Sequence, residues 1–436
     1  MPENSAKPSW TARCSAADSV TMMPPRTHPP APAEPDPSRR NNLALLTSLV
    51  HHHGVLSRAQ LTRQTGLNRS TVGTLIGQLT SLGLVYETAP AGEGQVGRPS
   101  PEVHPSPSIA ALAVNPEVDA VTIGLVSLGG KVQKKVRFET ERIPSAREAV
   151  NIAAAVIAGM RSELDASYRI TGIGMAVPGL VNRDDGVVRH APHLGWRNEP
   201  VARMLSEATG YPCQAANDAS LGAEAELIFG AGAGTGSSVR PGNLIYLNGG
   251  ASGIGGGIIA DGRLLRGASG YAGELGHTFV RSGGTTCHCG ATGCLETEVS
   301  QSRLLELAGL SSSDTADLEK ALENSDSAGL SDEVARQLTY LGTALRNAVN
   351  IFNPDAIVLD GFLGTLHALA PGSLQAMLLS QAMDGPAGQA RIYRAALGSD
   401  LMMIGAAELA FTPFLADPAG LGTTAGAVPS PTSQAG

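Results

Sequence analysis

The sequence predicts an α/β protein in two parts, a small N-terminal module of helices with a hairpin and a larger two-lobed body. Apolar residues recur at helical spacing through much of 40–83, whereas beyond residue 110 apolar strands alternate with amphipathic helices. The 436 residues also exceed one ordinary domain of roughly 100–200 residues. We therefore expect residues 39–106 and 107–415 to fold as distinct domains.

The two ends of the chain differ from these domains in composition. Residues 1–38 contain nine prolines, and residues 416–436 are rich in Ala, Gly, Pro, Ser and Thr. Such segments bury little apolar surface, so we expect a disordered extension and a disordered tail. The stretch at 231–241 predicts a flexible loop. No apolar run suits a membrane span or a secretory signal, which favours a cytoplasmic protein.

Residues 40–104 have the pattern of three short helices followed by a hairpin. Ser57 and Gln60 predict a capping box at the start of the second helix, and Asn68 predicts the cap of the third. The third helix has an apolar face at helical spacing, formed by Val72, Leu75, Ile76, Leu79 and Leu82. With two short strands in the hairpin, this pattern predicts a winged helix-turn-helix.

The opposite face of the third helix has side chains suited to nucleic acid, namely Arg69, Ser70, Thr71, Thr74 and Gln78. Hydroxyls, an amide and a guanidinium can contact phosphates and base edges in a major groove. Arg98 in the wing can also reach the DNA backbone. Residues 1–110 have a net charge of +2 and the remainder −10, so a polyanion would meet the N-terminal part. A module that binds protein instead is the alternative.

The body is predicted as two α/β lobes with a cleft between them. The first lobe has predicted strands at 110–114, 121–127, 132–139, 170–177 and 213–216, with helices at 146–164, 201–209 and 220–229. The second has predicted strands at 244–247, 257–260 and 356–359, with a long helix at 332–352. A cleft between lobes is a common place for a ligand.

A cluster of metal-ligand residue types lies between 274 and 296. His277 is followed by three cysteines in the order Cys287-x-Cys289, then Cys294. Three thiolates and one imidazole supply the four ligands of a closed tetrahedral zinc site, which leaves no position for water. We therefore predict a structural zinc. Reduced, buried cysteines beside a surface histidine are the alternative.

Three carboxylates are candidates for the cleft. Glu274 and Glu296 flank the cysteine cluster and can accept hydrogen bonds from hydroxyl groups, unless they are solvated surface groups. Asp218 follows Asn217 at the end of a buried strand, where it can accept a proton or cap the next helix. The glycines at 253–257 predict a turn between strands that a ligand can approach closely.

These motifs resemble the ROK family of repressors, open reading frames and sugar kinases, in its regulator branch with a winged helix. The resemblance spans about 40–412 and implies an actin-like ATPase body that binds a sugar in its cleft. It implies zinc ligands at His277, Cys287, Cys289 and Cys294. It implies sugar contacts at Asn217, Asp218, Gly253, Glu274, His277 and Glu296, with Asp218 at the position of the kinases' catalytic base.

The chain departs from the kinases where they bind phosphate. Their Asp-x-Gly-Gly-Thr loop is replaced at the corresponding positions by Asn115, Glu117, Val118 and Asp119. Acidic side chains there would repel a phosphate instead of cradling it with backbone N–H groups. Asp360 also stands where the kinases have glycine. We therefore predict no enzyme activity and no ATP, with Asp218 as a vestigial base.

Together these features predict a sugar-responsive DNA-binding transcriptional regulator, a repressor of carbohydrate uptake or catabolism genes. Its partners would be operator DNA, a sugar or sugar derivative, and further copies of itself in a homodimer or dimer of dimers, without a membrane. Sugar would close the cleft and move the winged helices of the dimer. Specificity would lie in the loop at 178–196, with His193 as a candidate contact. A glucokinase-like sugar kinase with a fused DNA-binding domain and a zinc scaffold without ligands are the alternatives.

Overall fold

A computed structural model describes residues 37–89, 100–233, 241–311 and 317–420. The predicted DNA contact Arg98 lies outside the described residues, as do 1–36, 421–436 and most of the predicted loop at 231–241. The first helix begins at Pro37, two residues before the predicted domain boundary, and the last helix ends at Ala416.

The N-terminal module has three helices and three short strands: α1 (Pro37–His53), β1 (Leu56–Ser57), α2 (Arg58–Thr65), α3 (Arg69–Ser81), β2 (Val85–Thr88) and β3 (Glu102–Pro105). The predicted capping box of Ser57 with Gln60 is present, and the Asn68 side chain caps α3, so both caps are confirmed. β3 pairs antiparallel with β1 and β2. β1 was not predicted, because two residues are too few to show an alternating pattern.

The first lobe of the body contains, in chain order, β4 (Ile109–Pro116), β5 (Ala120–Ser127), β6 (Lys131–Glu139), α4 (Ala146–Ser167), β7 (Arg169–Val177), β8 (Leu180–Asn182), β9 (Val187–Ala191), β10 (Trp196–Glu199), α5 (Val201–Thr209), β11 (Cys213–Asn217) and α6 (Asp218–Ile228). Its main sheet has the order β11-β7-β4-β5-β6, and β8, β9 and β10 form a small second sheet. The predicted strands of this lobe are all present. The specificity loop at 178–196 is therefore largely a three-stranded sheet.

The second lobe contains β12 (Leu244–Gly250), β13 (Gly253–Ala260), β14 (Arg263–Leu264), α7 (Leu295–Glu298), α8 (Gln301–Leu307), α9 (Leu318–Glu323), α10 (Ala328–Phe352), β15 (Ala356–Gly361), α11 (Phe362–Leu369), α12 (Pro371–Gln381), α13 (Asp384–Gln389) and β16 (Arg391–Arg394). The sheet order is β14-β13-β12-β15-β16. The final helix, α14 (Leu401–Ala416), returns to the first lobe and packs on β4 and β7.

The prediction of a glycine-rich turn at 253–257 was wrong, because these residues form the first part of β13. The turn precedes them, at 251–252. Their small size instead lets β13 pack closely on α6. A Cβ atom at Gly257 would lie 2.6 Å from the Cβ of Ala223, and one at Gly255 would lie 2.8 Å from the Cβ of Ala219. Glycine within a strand often marks such a close approach.

Two parts of the described chain combine the length and hydropathy of a membrane span. One is the segment Gly398–Ala416, which includes α14, and 61% of its apolar window is buried inside the protein. The other is the pair α11 and α12, which is long and apolar enough only when the two helices are taken together, and which is bent by 87°. The burial of α14 follows from its packing on the first-lobe sheet, where a Cβ at Gly174 would overlap the carbonyl oxygen of Ala406.

The N-terminal module joins the body through a shared apolar core that contains Leu46 of α1 and Phe411 of α14. His51 is fully buried at this junction. Its Nδ1 accepts a hydrogen bond from the backbone N–H of Gly129 at 2.8 Å, and its Nε2 lies 2.7 Å from Oε1 of Glu408. Because Nδ1 accepts, the ring carries its proton on Nε2 and donates it to Glu408. One side chain therefore ties α1 to two parts of the body.

Candidate functional site

A cavity of about 420 Å³ lies between the two lobes. The six residues predicted to contact a sugar all line it: Asn217, Asp218, Gly253, Glu274, His277 and Glu296. His193, the candidate in the specificity loop, lines it as well. Asn248, Ser252 and His288 also line it and were not predicted, because single polar residues in a turn or at a strand end form no pattern.

Asp218 reaches the cavity from the junction of β11 and α6. The cap of α6 is Asn217, whose Oδ1 accepts from the N–H of Ser220 at 2.8 Å and whose amide donates to the carbonyl of Gly179. The alternative that Asp218 caps this helix is therefore wrong. Asp218 is the first helical residue, and burial raises its pKa to about 6. A carboxylate that titrates in this range can accept a proton or a hydrogen bond from a hydroxyl group.

The two glutamates line the same cavity in different environments. The side chain of Glu274 is 44% exposed, and partial burial raises its pKa, which the nearby imidazole of His277 partly offsets. Glu296 is 8% exposed, and its Oε1 lies 3.0 Å from both Nδ1 of His288 and Sγ of Cys287. Glu296 is therefore held in one place, whereas Glu274 has room to turn toward a ligand.

Gly253 supports the position of Glu296. Its φ angle is 116°, which side chains with a Cβ rarely adopt. A Cβ at this position would lie 2.5 Å from Oε2 of Glu296. The glycine therefore allows both the backbone conformation and the approach of this carboxylate to β13.

The four predicted metal ligands lie together. The donor atoms of His277, Cys287, Cys289 and Cys294 are all within 4.8 Å of one another. Sγ of Cys289 lies 3.7 Å from Sγ of Cys294. With Zn–S bonds of about 2.3 Å, two thiolates on one tetrahedral zinc are expected about 3.8 Å apart. Three thiols and one imidazole at these distances fit a metal ion, and they fit zinc in particular.

His277 faces both the cysteines and the cavity. Its Nδ1 lies 3.5 Å from Sγ of Cys287, and its Nε2 lies 4.0 Å from Oε2 of Glu274. An ion held at Nδ1 would keep the proton on Nε2, where it can be donated into the cavity. His277, His288 and Glu296 form a second close group of possible ligands, but it has only three donors and shares His277 with the first.

A separate cavity of about 330 Å³ is lined by Asn115, Glu117 and Asp360, residues that the family resemblance places at the phosphate-binding positions of the kinases. Both acidic residues of the β4–β5 turn, Glu117 and Asp119, pair with the guanidinium of Arg137 on β6. Asp360 accepts a hydrogen bond from the hydroxyl of Tyr246 at 2.7 Å. The acidic groups predicted to repel a phosphate are therefore already paired, and no sequence pattern had indicated Arg137 as their partner.

The predicted DNA-contacting residues of α3 lie on its outer face, where Arg69, Ser70 and Thr74 are exposed and Thr71 and Gln78 are partly exposed. The Ser70 hydroxyl donates to the side chain of Asn68. Gln78 accepts two hydrogen bonds from Arg39, at 2.7 and 2.9 Å. The Arg69 side chain has no partner among the described residues. Arg39, which was not predicted, adds a second cation beside this face.

Known proteins resemble the chain along most of its length. A family model described as "ROK family" matches residues 112–412. The xylose repressor of Bacillus subtilis is 28% identical over 387 residues, covering 86% of this chain and 96% of that protein. A glucokinase of Halalkalibacterium halodurans is 32% identical over 316 residues, covering 67% and 92%. A crystal structure of a ROK family transcriptional regulator, a homolog of the E. coli MLC protein, has a TM-score of 0.70 at 25% identity, covering 88% and 98%. The chain therefore belongs to the ROK family.

Proposed function

We propose that this protein is a sugar-responsive transcriptional repressor that binds operator DNA through a winged helix-turn-helix at residues 39–106. The observation that carries this proposal is the extent of the similarity. The xylose repressor covers 86% of the chain, whereas the glucokinase covers 67%. The repressor relatives therefore account for more of the chain than the body alone. The exposed polar face of α3, where Arg69 has no partner in the described part of the chain, supports contact with DNA.

The ligand proposed for the cavity is a neutral sugar. Asp218, Glu274 and Glu296 offer carboxylate oxygens that accept hydrogen bonds from hydroxyl groups. None of the described residues that line the cavity is Lys or Arg. A phosphorylated or acidic sugar would therefore bring negative charge toward three carboxylates without a compensating Lys or Arg among the described residues, at a considerable cost in free energy.

The proposed metal is a structural zinc held by His277, Cys287, Cys289 and Cys294. When bound, it would cross-link the segment that carries Glu274 and Glu296. All four donors come from the protein, so the ion would have no position for a reacting water. The role of these residues is then to hold the wall of the sugar cavity in shape.

A kinase activity is not part of this proposal. Phosphoryl transfer depends on positioning and on neutralising the charge of the phosphates. Here a triphosphate would have to displace Glu117 and Asp119 from Arg137. We expect no sugar-dependent release of ADP from ATP. A coupled assay that detected such release, and lost it in Asp218→Asn, would favour the kinase alternative.

Sugar binding can be coupled to the DNA-binding module through α6. This helix begins at Asp218 in the cavity, and Phe229 follows its last turn. The ring of Phe229 lies edge-on to that of His51 in α1, with centroids 5.5 Å apart. A shift of α6 on sugar binding would therefore press directly on the helix that begins the DNA-binding module. Sugar and DNA would then be coupled because each of them favours a different position of the same helix, α6.

The proposed active form is a cytoplasmic homodimer or a dimer of dimers. Two copies of α3 would then occupy half-sites of a pseudo-palindrome, one or more helical turns apart. A change in the angle between the two modules would alter the fit to this spacing, which is how a sugar in the cleft could weaken operator binding.

The direct test is operator binding by fluorescence anisotropy, using DNA from upstream of the protein's own gene. Arg69→Ala should weaken binding by about 1–3 kcal/mol if Arg69 reads a base. Arg98→Ala should weaken binding to all sequences alike, and Arg203→Ala, on an exposed helix of the body, is the matched control. Deleting residues 1–104 should abolish operator binding and keep the sugar cavity, although loss of α1 from the shared core should lower the stability of the remaining body. Operator binding by the truncated body would contradict the domain assignment.

A further inference from the structure

The main cavity adjoins a second compartment of about 200 Å³. The two share a boundary of six residues, namely His193, Gly250, Ser252, Gly253, His288 and Glu296. Two imidazoles stand at this boundary, because the rings of His193 and His288 meet edge-on with centroids 5.2 Å apart. The carboxylate of Glu296 lies beside them, with its Oε1 3.0 Å from Nδ1 of His288. A ligand that fills the main cavity can therefore continue past Glu296 into the second compartment.

The second compartment combines an apolar floor with polar walls. Val299 and Phe362 form the floor and are almost completely buried. The polar wall is formed by Ser252, Thr297, Ser300, Gln301 and Ser302. The hydroxyls of Ser300 and Ser302 are paired with each other at 2.8 Å. The side chains of Gln301 and Ser252 have no hydrogen-bond partner among the described residues, so both are available to a ligand.

The charge and size of this compartment limit what it can hold. Its lining contains no Lys or Arg among the described residues, and Glu296 at the boundary is its one carboxylate. A phosphate or carboxylate group would therefore find no ammonium or guanidinium group among the described residues there. At about 30 Å³ for each water in the liquid, 200 Å³ corresponds to roughly six or seven waters. That is space for a ring carrying several hydroxyl groups, and more than a methyl or acetyl substituent fills.

We propose that the second compartment is a subsite for a second sugar ring, and that the effector is a neutral disaccharide or longer glycoside. The inference rests on the proposed function, in which the main cavity holds the first ring beside Asp218 and Glu274. The second ring would lie on Phe362, where its hydroxyls meet the amide of Gln301 and the hydroxyl of Ser252. The glycosidic linkage would cross the boundary beside Glu296 and the two imidazoles.

Isothermal titration of the full-length protein tests this with matched pairs of sugars: glucose with cellobiose and maltose, xylose with xylobiose, and N-acetylglucosamine with N,N′-diacetylchitobiose. In at least one series the disaccharide should bind at least tenfold more tightly than its monosaccharide. Gln301→Ala should remove most of that advantage and leave the monosaccharide affinity unchanged. Gln389→Ala, an exposed glutamine on α13, is the matched control and should change neither affinity.

The outcomes separate this inference from the function on which it rests. If monosaccharides bind and Glu274→Gln abolishes their binding, the sugar site stands. If, in the same experiments, no disaccharide binds more tightly than its monosaccharide, the second subsite is wrong. An advantage for N-acetylglucosamine over glucose that Gln301→Ala removes, without an advantage for any disaccharide, would assign the compartment to a substituent and also overturn the proposal. Absence of binding by every sugar would overturn both.

Discussion

Removing the imidazole of His51 should destabilise the junction between the N-terminal module and the body. His51 is fully buried, donates to Glu408 through Nε2 and accepts from the N–H of Gly129 through Nδ1. In His51→Ala, the carboxylate of Glu408 loses its 2.7 Å donor, and the partner left to it among the described residues is His52, at 3.7 Å. The N–H of Gly129 loses its partner as well. A hydrogen bond to a charged group contributes about 1.5–3 kcal/mol, and an unsatisfied buried donor costs about 1–3 kcal/mol. We therefore expect a loss of about 2.5–6 kcal/mol.

The titration of Glu408 gives a similar magnitude. Burial alone would raise its pKa, but the close approach of His51 and His52 outweighs burial and lowers the pKa from 4.5 to about 2. A difference of this size corresponds to about 3 kcal/mol. Because the folded pKa is depressed, this stability is fully present above pH 4.5 and is lost as the pH falls toward 2. The wild-type protein should lose stability over that range, and His51→Ala should lose less.

Urea unfolding measured by circular dichroism, with hydrogen exchange of α1, would report this loss. Glu408→Gln separates charge from hydrogen bonding, because the amide oxygen can still accept from Nε2 of His51. It should cost less than His51→Ala. Asn41→Ala, on the exposed face of α1, should change the unfolding free energy by no more than about 0.5 kcal/mol. If His51→Ala were as stable as Asn41→Ala at pH 7, the junction would not depend on this buried pair.

Three further predictions concern the cavity. Because the pKa of Asp218 is about 6, sugar affinity should increase as the pH rises from 5 to 7.5 and the carboxylate ionises. In Asp218→Asn, titration calorimetry should find weaker sugar binding without this pH dependence. An unchanged pH profile in the variant would exclude Asp218 from the site. Gly253→Ala should weaken sugar binding at least tenfold and lower stability by about 1–3 kcal/mol, because alanine is strained at the positive φ of this position and its Cβ would displace the carboxylate of Glu296. Gly372→Ala meets open space and should have little effect on sugar binding. Elemental analysis should find about one zinc per chain. Cys289→Ser should lower both the zinc content and the thermal stability, whereas Cys213→Ser should leave the zinc in place. Full stability of the protein without zinc would contradict the structural role.

Features set by neighbouring residues could be predicted from the sequence. The caps at Ser57 and Asn68 depend on contacts within three residues, and the structure confirms both. The alternation of strands and helices in the body depends on local apolar patterning, and the predicted strands are present with longer ends. The proposed zinc ligands could be grouped because Cys287, Cys289 and Cys294 lie within one short loop. In each case the interacting groups are close along the chain.

Features that depend on packing between distant segments could not be predicted. Arg137, on β6, pairs with Glu117 and Asp119 in the turn before β5. The local sequence indicated that these two acids would repel a phosphate, but it did not show that a guanidinium from another strand neutralises their charge. The glycines at 253–257 were expected in a turn, because their conformational freedom is evident from the sequence. The sequence does not show that they form part of a strand, β13, on which the helix α6 packs closely.

By itself the sequence indicated the α/β class, six of the residues that line the cleft and the resemblance to the ROK family. Only the tertiary structure decided how the parts are joined. His51 and Glu408 are 357 positions apart, and no periodicity or spacing relates them. The second compartment likewise arises where the turn before β13, the start of α8 and Phe362 meet. Propensities and caps act over a few residues, whereas a buried pair or a cavity depends on which surfaces pack together when the whole chain folds.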